Sequence, residues 1–155
     1  MFNIVLVEPE IPANTGNISR TCAITGTALH LIKPLGFSID DKHLKRAGLD
    51  YWHLLDLHIY ENLDEFLAQH GDKRMFLATT KSAQHYDEVE FQDGDFIVFG
   101  KETAGLPQRM HDLYPDTRVK IPMLDIEAAR SLNLSNSAAI ILYEALRQVG
   151  FLGLK

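Results

Sequence analysis

Short apolar runs rich in β-branched and aromatic residues alternate along this chain with segments whose apolar positions recur at helical spacing. Asn3 to Val7 reads as a first strand and Ala28 to Ile32 as a second. Leu54 to Tyr60 reads as a third, Met75 to Thr79 and Asp95 to Phe99 as two more. Val119 to Ile121 is a brief sixth, closed by Pro122, which has no backbone N–H to donate. Between the strands the pattern predicts a helix over Asn17 to Thr25, stopped by Gly26, and a short one over Asp40 to Ala47, ending at Gly48. Asn62 caps a further helix, with Glu65 at the capping-box position and Gly71 at its end. The last helix is the clearest: from Asn136 to Val149, the apolar residues Ala138, Ile141, Leu142, Ala145, Leu146 and Val149 recur on one face. Strands alternating with helices predict an α/β fold, a mostly parallel sheet flanked by helices on both faces.

The chain has 155 residues, which suits one domain spanning residues 1–155, and it shows no internal repeat, low-complexity stretch or linker. No apolar run approaches the roughly 20 residues of a membrane span. MFNIVLVEPE enters a strand directly without a basic leader, so no signal peptide is expected. Cys22 is the only cysteine, which excludes an internal disulfide and fits a reducing cytoplasm. A net charge of −6 argues against a general nucleic-acid binder. Charge is uneven, however: Lys42, His43, Lys45 and Arg46 cluster in DDKHLKRAG, either as a solvated helix face or as a local phosphate-binding face.

Several chemistries are missing. No GxGxxG follows the first strand, and Gly100-Lys101 only superficially resembles a P-loop, since Asp95 and Glu102 stand where that motif needs Gly and Ser or Thr. There is no HExxH and no GxSxG, and the seven histidines lack ligand spacing, so no metal is expected. Cys22 lies among apolar neighbours in a predicted helix and reads as buried.

Three polar segments, each following an apolar run, hold the remaining signal: PANTGNISRT from Pro12, FGKETAGLP from Phe99 and IPMLDIEAARSLNLSN from Ile121. Loops leaving parallel strands are where α/β proteins build ligand sites, so three of them predict one composite site. In the first, Gly16 permits a tight turn, Asn14 or Asn17 caps the following helix, and Arg20 sits about one turn in, near N–H groups suited to an anion. In the second, Gly100 allows close approach to a ligand, Glu102 accepts hydrogen bonds or balances a cation, and Gly105 and Pro107 set a turn and a short helix. In the third, polar Ser131, Asn133, Ser135 and Asn136 alternate with Leu132 and Leu134. Ser135 or Asn136 caps the last helix.

Taken together and in order, N-x-G-N-x-x-R, F-G-x-E-x-x-G-L-P, and I-P-M followed by S-L-N-L-S-N resemble the three signature motifs of the SPOUT class of RNA methyltransferases. The match spans nearly the whole chain. The ARSLNLSN wording, with no added RNA-binding domain, resembles the branch that methylates the ribose of the tRNA wobble nucleotide, cytidine or uridine. The resemblance implies a C-terminal deep trefoil knot, which general topology rules would argue against. It also implies a homodimer with active sites at the interface. S-adenosylmethionine would be held by Ala78, Thr79, Gly100, Glu102, Ile121, Met123, Ser131 and Leu132.

The reaction that follows is attack by a ribose 2′-hydroxyl on the sulfonium methyl group, which needs in-line alignment and no metal. By the family pattern Arg20 is central. A charged guanidinium has no acceptor, so orienting the hydroxyl or phosphate and stabilising alkoxide charge suits it better than acting as a base. Asn14 and Asn136 would position the nucleotide. Lys42, Lys45, Arg46 and Arg130 are candidates for phosphate contacts with the tRNA anticodon stem-loop. Tyr143 is a candidate for stacking near the target, or for the dimer interface. The alternatives are 2′-O-methylation of another RNA position, or a non-catalytic RNA-binding protein that keeps the pocket.

Overall fold

The computed structural model describes all residues except His43, Lys45, Ala47, Gly48, Ala129 and Arg130. Its centre is a six-stranded sheet of β1 (Asn3–Val7), β2 (Ala28–Ile32), β3 (Leu57–Tyr60), β4 (Met75–Ala78), β5 (Phe96–Phe99) and β6 (Arg118–Val119). The strand order is β3-β2-β1-β5-β4-β6, and every pairing is parallel. The chain moves outward from β1 to β3, then crosses back to build β4, β5 and β6 on the other side of β1. The order therefore switches between β1 and β5, and open parallel sheets bind ligands beyond the carboxyl ends of strands at such a point.

Alternation along each strand sends side chains to two cores. Ile4, Leu6, Leu29, Leu31, Ile97 and Phe99 face α1 (Pro12–Thr25) and α4 (Leu134–Gln148), packing on Ile18, Cys22, Ile141 and Leu142. Val5, Val7, Ile32, Leu77, Phe96 and Val98 face the other way, with Phe66 of α2 (Leu63–His70) and Met110 of α3 (Gln108–Leu113). Each fully buried Leu, Ile or Phe adds about 1.5–3 kcal/mol, so both faces of the sheet contribute strongly to the fold. The α/β expectation with helices on both faces holds. Cys22 is buried as expected, and burial pushes its thiol well above the ordinary range. No helix among the described residues is long and apolar enough to cross a membrane.

Several element boundaries differ from those expected, among them α4, which runs from Leu134 to Gln148 and not from Asn136 to Val149. The first helix starts at Pro12, not Asn17, so Asn14, Gly16 and Asn17 lie inside it rather than in a preceding loop. Asn and Gly are weak helix formers, but proline suits the first helical position, and burial of Thr15 and Ile18 outweighs the propensity cost. The third strand begins at Leu57, because Leu49–Leu54 forms a 3-10 helix closed by the Leu55 N–H on the Trp52 carbonyl at 3.2 Å. The sixth strand is shifted to Arg118–Val119. Of the helix expected from Asp40 to Ala47, Lys42, Leu44 and Arg46 are helical, with Leu44 buried; Asp40 and Asp41 precede it, and His43, Lys45 and Ala47 lie outside the described residues.

Asn62 caps α2, its Oδ1 accepting from the Glu65 N–H at 2.8 Å. The reciprocal bond from Glu65 goes to the Glu61 N–H at 2.7 Å, one residue before the expected partner. Gly26 ends α1 in the left-handed conformation, φ 66°.

Away from the strand ends that carry the three polar segments, β2 buries a polar residue. His30 Nδ1 meets the Tyr60 hydroxyl at 2.9 Å and Nε2 meets Asn3 Oδ1 at 3.0 Å. The Tyr60 hydroxyl continues to His70 Nε2 at 3.0 Å. Burial, reinforced by His58 and His70, pulls the His30 imidazole from its ordinary 6.5 down to about 3. The unfolded chain takes up a proton as pH falls through 6.5, and the folded chain does not until about 3. This contribution to stability is therefore full above pH 6.5 and is lost as pH falls toward 3. Urea unfolding at a series of pH values should show that decline, and His30→Gln should flatten it; an unchanged slope in the variant would place the acid sensitivity elsewhere.

Candidate active site

Registers across the sheet bring the ends of three strands level. Ala78 pairs with Phe99 on one side and with Val119 on the other, so the segments from Thr79, Gly100 and Lys120 leave the sheet together. Glu8, at φ 54°, turns the chain out of β1 in the left-handed region, a costly conformation for a residue with a side chain. Between these exits lies a cavity of about 630 Å³, within the usual range for a small-molecule site.

One hydrogen-bonded chain ties the three polar segments together. The Glu102 carboxylate accepts from the Glu10 N–H at 3.0 Å, from the Ile11 N–H at 2.6 Å and from Asn14 Nδ2 at 3.3 Å. Asn14 Oδ1 accepts from Asn133 Nδ2 at 3.1 Å. Asn133 Oδ1 then caps α4, accepting from the N–H groups of Ser135 at 2.9 Å and Asn136 at 3.3 Å. Glu10 answers in the opposite sense: its Oε1 accepts from Thr103 N–H at 3.0 Å and Thr103 Oγ1 at 2.7 Å. These bonds, from the Thr103 side chain first, hold the Glu10 carboxyl below its ordinary value.

The cavity gathers all eight residues expected to hold a cofactor: Ala78, Thr79, Gly100, Glu102, Ile121, Met123, Ser131 and Leu132. Asn14 lines it as well. Two of these residues also shape the site itself. A Cβ on Gly100 would stand 2.0 Å from the Gly105 carbonyl carbon and 2.2 Å from the Leu106 nitrogen. Glycine is needed there for the loop to fold on itself. Of the two roles expected of Glu102, accepting hydrogen bonds is the one the structure shows: its oxygens are engaged by the first segment and build the wall.

Arg20 and Asn136 do not line the cavity. Arg20 lies about two turns into α1, roughly 9 Å along the axis from Asn14 and about 120° around it, so the expected proximity to the helix N-terminus fails. Its Nη2 donates to the Tyr51 hydroxyl at 3.2 Å. Asn136 is exposed in the first turn of α4, and neither it nor Ser135 is the cap. Among the expected RNA contacts, Lys42 and Arg46 are exposed, and Tyr143 stands 42% exposed on α4. Lys45 and Arg130 lie outside the described residues.

Asn133 was visible in the sequence only as one of four alternating polar residues; the onset of helical periodicity at Leu134 was the available signal for its capping role. Lys81, Lys101, Lys120 and His111 also line the cavity, and no motif marks them. His111 is 5% exposed, and its Nδ1 has no hydrogen-bond partner among the described residues. Burial, then the charges of Lys81 and Arg118, keep its imidazole below the ordinary value and hence neutral near pH 7. His85, Asp87 and Glu88 bring ligand-type atoms within 4.8 Å of one another, but His85 and Glu88 cap their own turn reciprocally, which accounts for the grouping.

An open parallel α/β sheet with a composite pocket at its switch point defines a ligand-binding class of fold, and comparison with known proteins narrows it. Residues 1–143 match the SpoU rRNA Methylase family. The chain belongs to that family and is a methyltransferase. It is 54% identical over 154 residues to a tRNA (cytidine(34)-2'-O)-methyltransferase of Methylovorus glucosotrophus, covering 99% of each chain. A solved structure concerned with the 2-OH methylation of C/U34 on tRNA matches with a TM-score of 0.89 and 41% identity, over 96% of both chains. The SpoU methyltransferase AviRb from Streptomyces viridochromogenes, in complex with the cofactor AdoMet, matches with a TM-score of 0.81 and 25% identity, over 95% of this chain and 60% of that one.

The residues present fit such a cofactor. Apolar Ile121 and Leu132 supply a surface for an adenine ring, backed by the buried Phe99 and Ile141. Thr79, Ser131, Ser137 and the unpartnered His111 Nδ1 supply polar groups. Glu102→Ala should lower stability by about 1–3 kcal/mol in urea unfolding, because three donors lose a charged acceptor. It should also weaken S-adenosylhomocysteine binding by calorimetry. An unchanged unfolding midpoint would show that the carboxylate does not hold the segments together.

Proposed function

We propose that this chain transfers a methyl group from S-adenosylmethionine to the ribose 2′-hydroxyl of the wobble nucleotide, cytidine or uridine, in tRNA. The observation that carries the reading is near full-length identity of 54% to a protein that methylates that position, together with a cavity lined by all three motif segments. The whole of residues 1–155 acts as one domain, and tRNA as substrate favours a cytoplasmic location.

S-adenosylmethionine supplies a methyl group activated by its sulfonium. Thr79, Ile121, Ser131 and Leu132 would hold it from the strand ends, with Ala78, Gly100, Glu102 and Met123 completing the wall. Asn14 and Asn133, fixed by each other, set the side of the pocket where α1 and α4 meet. Arg20 orients the ribose hydroxyl or its phosphate and stabilises negative charge as the proton leaves to phosphate or water. Asn136 positions the nucleotide. Lys42, Lys45, Arg46 and Arg130 grip the anticodon stem-loop, and Lys81, Lys101 and Lys120 add positive charge at the cavity.

Two further features belong to this reading. Arg20 does not line the cavity of its own chain, which favours a homodimer in which it serves the partner's pocket. Exposed Ile24 on α1 and Ile140 and Tyr143 on α4 would be covered in that dimer. The return of the chain from edge strand β6 to pack α4 on α1 is compatible with a C-terminal trefoil knot.

Incubation with methyl-labelled S-adenosylmethionine and unmodified tRNA should place the label on the wobble ribose; label on another ribose would sink the assignment. Arg20→Ala should lower turnover about 100-fold or more while cofactor affinity stays near normal. Near-normal turnover would refute its role. Light scattering should give a dimer, and an active monomer would contradict the shared site.

A further inference from the structure

Arg20 is exposed on α1, yet its side chain is held in place. Its guanidinium carbon lies 4.8 Å from the centroid of the Tyr51 ring, and Nη2 donates to the Tyr51 hydroxyl at 3.2 Å. Tyr51 comes from the 3-10 helix Leu49–Leu54, which packs against α1. One side chain thus engages the guanidinium by its ring face and by its hydroxyl.

Arginine reaches its target through a long side chain with many rotamers, and its planar fork recognises phosphate or carboxylate only in the right plane. A ring against the guanidinium removes rotational freedom while taking up only one donor of the fork. Only one of the five N–H donors is engaged by Tyr51, and among the described residues the others have no hydrogen-bond partner and can meet an incoming oxygen. An aromatic face also leaves the cation charged, where a carboxylate partner would cancel the field needed by a developing alkoxide. None of the ion pairs among the described residues involves Arg20.

We propose that Tyr51 is a positioning residue for the methyl transfer, holding the Arg20 guanidinium in the plane from which it meets the ribose hydroxyl or the adjacent phosphate. This rests on the reading that Arg20 acts on the RNA. The same aromatic ring could instead stack on a base or only support the fold, and the kinetics separate these roles.

The test is steady-state methylation of unmodified tRNA by the full chain, with S-adenosylhomocysteine affinity and the thermal midpoint measured for each variant. Tyr51→Leu should lower kcat about tenfold, with the tRNA KM and cofactor affinity changed by less than about threefold. Tyr51→Phe, which keeps the ring and loses the hydroxyl, should recover to within about threefold of the native kcat. In an Arg20→Lys background, where the planar fork is gone, Tyr51→Leu should cost less than about threefold more. Full activity of Tyr51→Leu beside an inactive Arg20→Ala would overturn the proposal and leave the Arg20 reading standing. A raised tRNA KM with unchanged kcat would make Tyr51 an RNA contact and overturn it too. So would a parallel fall in thermal midpoint and activity that Phe does not rescue. Normal turnover by Arg20→Ala would remove the underlying reading and the proposal with it.

Discussion

The site depends on one carboxylate. Glu102 leaves β5 and accepts from the two backbone N–H groups that lead into α1, at 3.0 and 2.6 Å, and from the Asn14 amide. Without that acceptor, the exit from β1 would have several polar groups unsatisfied beside a half-buried wall, and buried polar groups are costly to leave unpaired. Asn14 passes the constraint to Asn133, and Asn133 fixes the start of α4. Three segments far apart in the chain are thereby held as one rim around a cavity. Gly100 makes the same rim possible from inside, since only glycine lets the 101–105 loop close over the end of β5.

This arrangement separates two tasks. The cavity is lined by segments leaving the strands and by the starts of α1 and α4, and hydrogen bonds tie these together. Arg20 lies on another side of α1, exposed, and is steadied by Tyr51. A pocket that must hold a flexible cofactor in one shape gains from rigidity. A side chain that must meet an RNA gains from exposure, provided its orientation is restrained. The histidine–tyrosine chain from Asn3 through His30 and Tyr60 to His70 belongs to neither task and marks a polar seam within the second core.

Much of this was legible in the sequence. The strands at Asn3–Val7 and Ala28–Ile32 have the bounds their β-branched patterns gave, and the α2 cap at Asn62 follows from its capping signal. The eight residues expected to hold a cofactor came from motif resemblance, and they line one cavity. What failed did so where tertiary contacts override local preference. The polar segment Pro12–Asn17 looks like a loop because its residues are weak helix formers, yet Glu102, 88 residues from Asn14, stabilises its entry. Asn133 outcompeted Ser135 and Asn136 as the cap because Asn14 holds its amide on the other side. Tyr51 gave no signal, because its pairing with Arg20 spans 31 residues and follows no period.

The central claim is that the three segments form one methyl-donor pocket. A crystal structure of the chain with S-adenosylhomocysteine tests it most directly. The account predicts the ligand in the cavity between Thr79, Gly100, Ile121 and Leu132, with the Glu102–Asn14–Asn133 chain intact. A ligand bound elsewhere, or bound only after that chain has come apart, would contradict it.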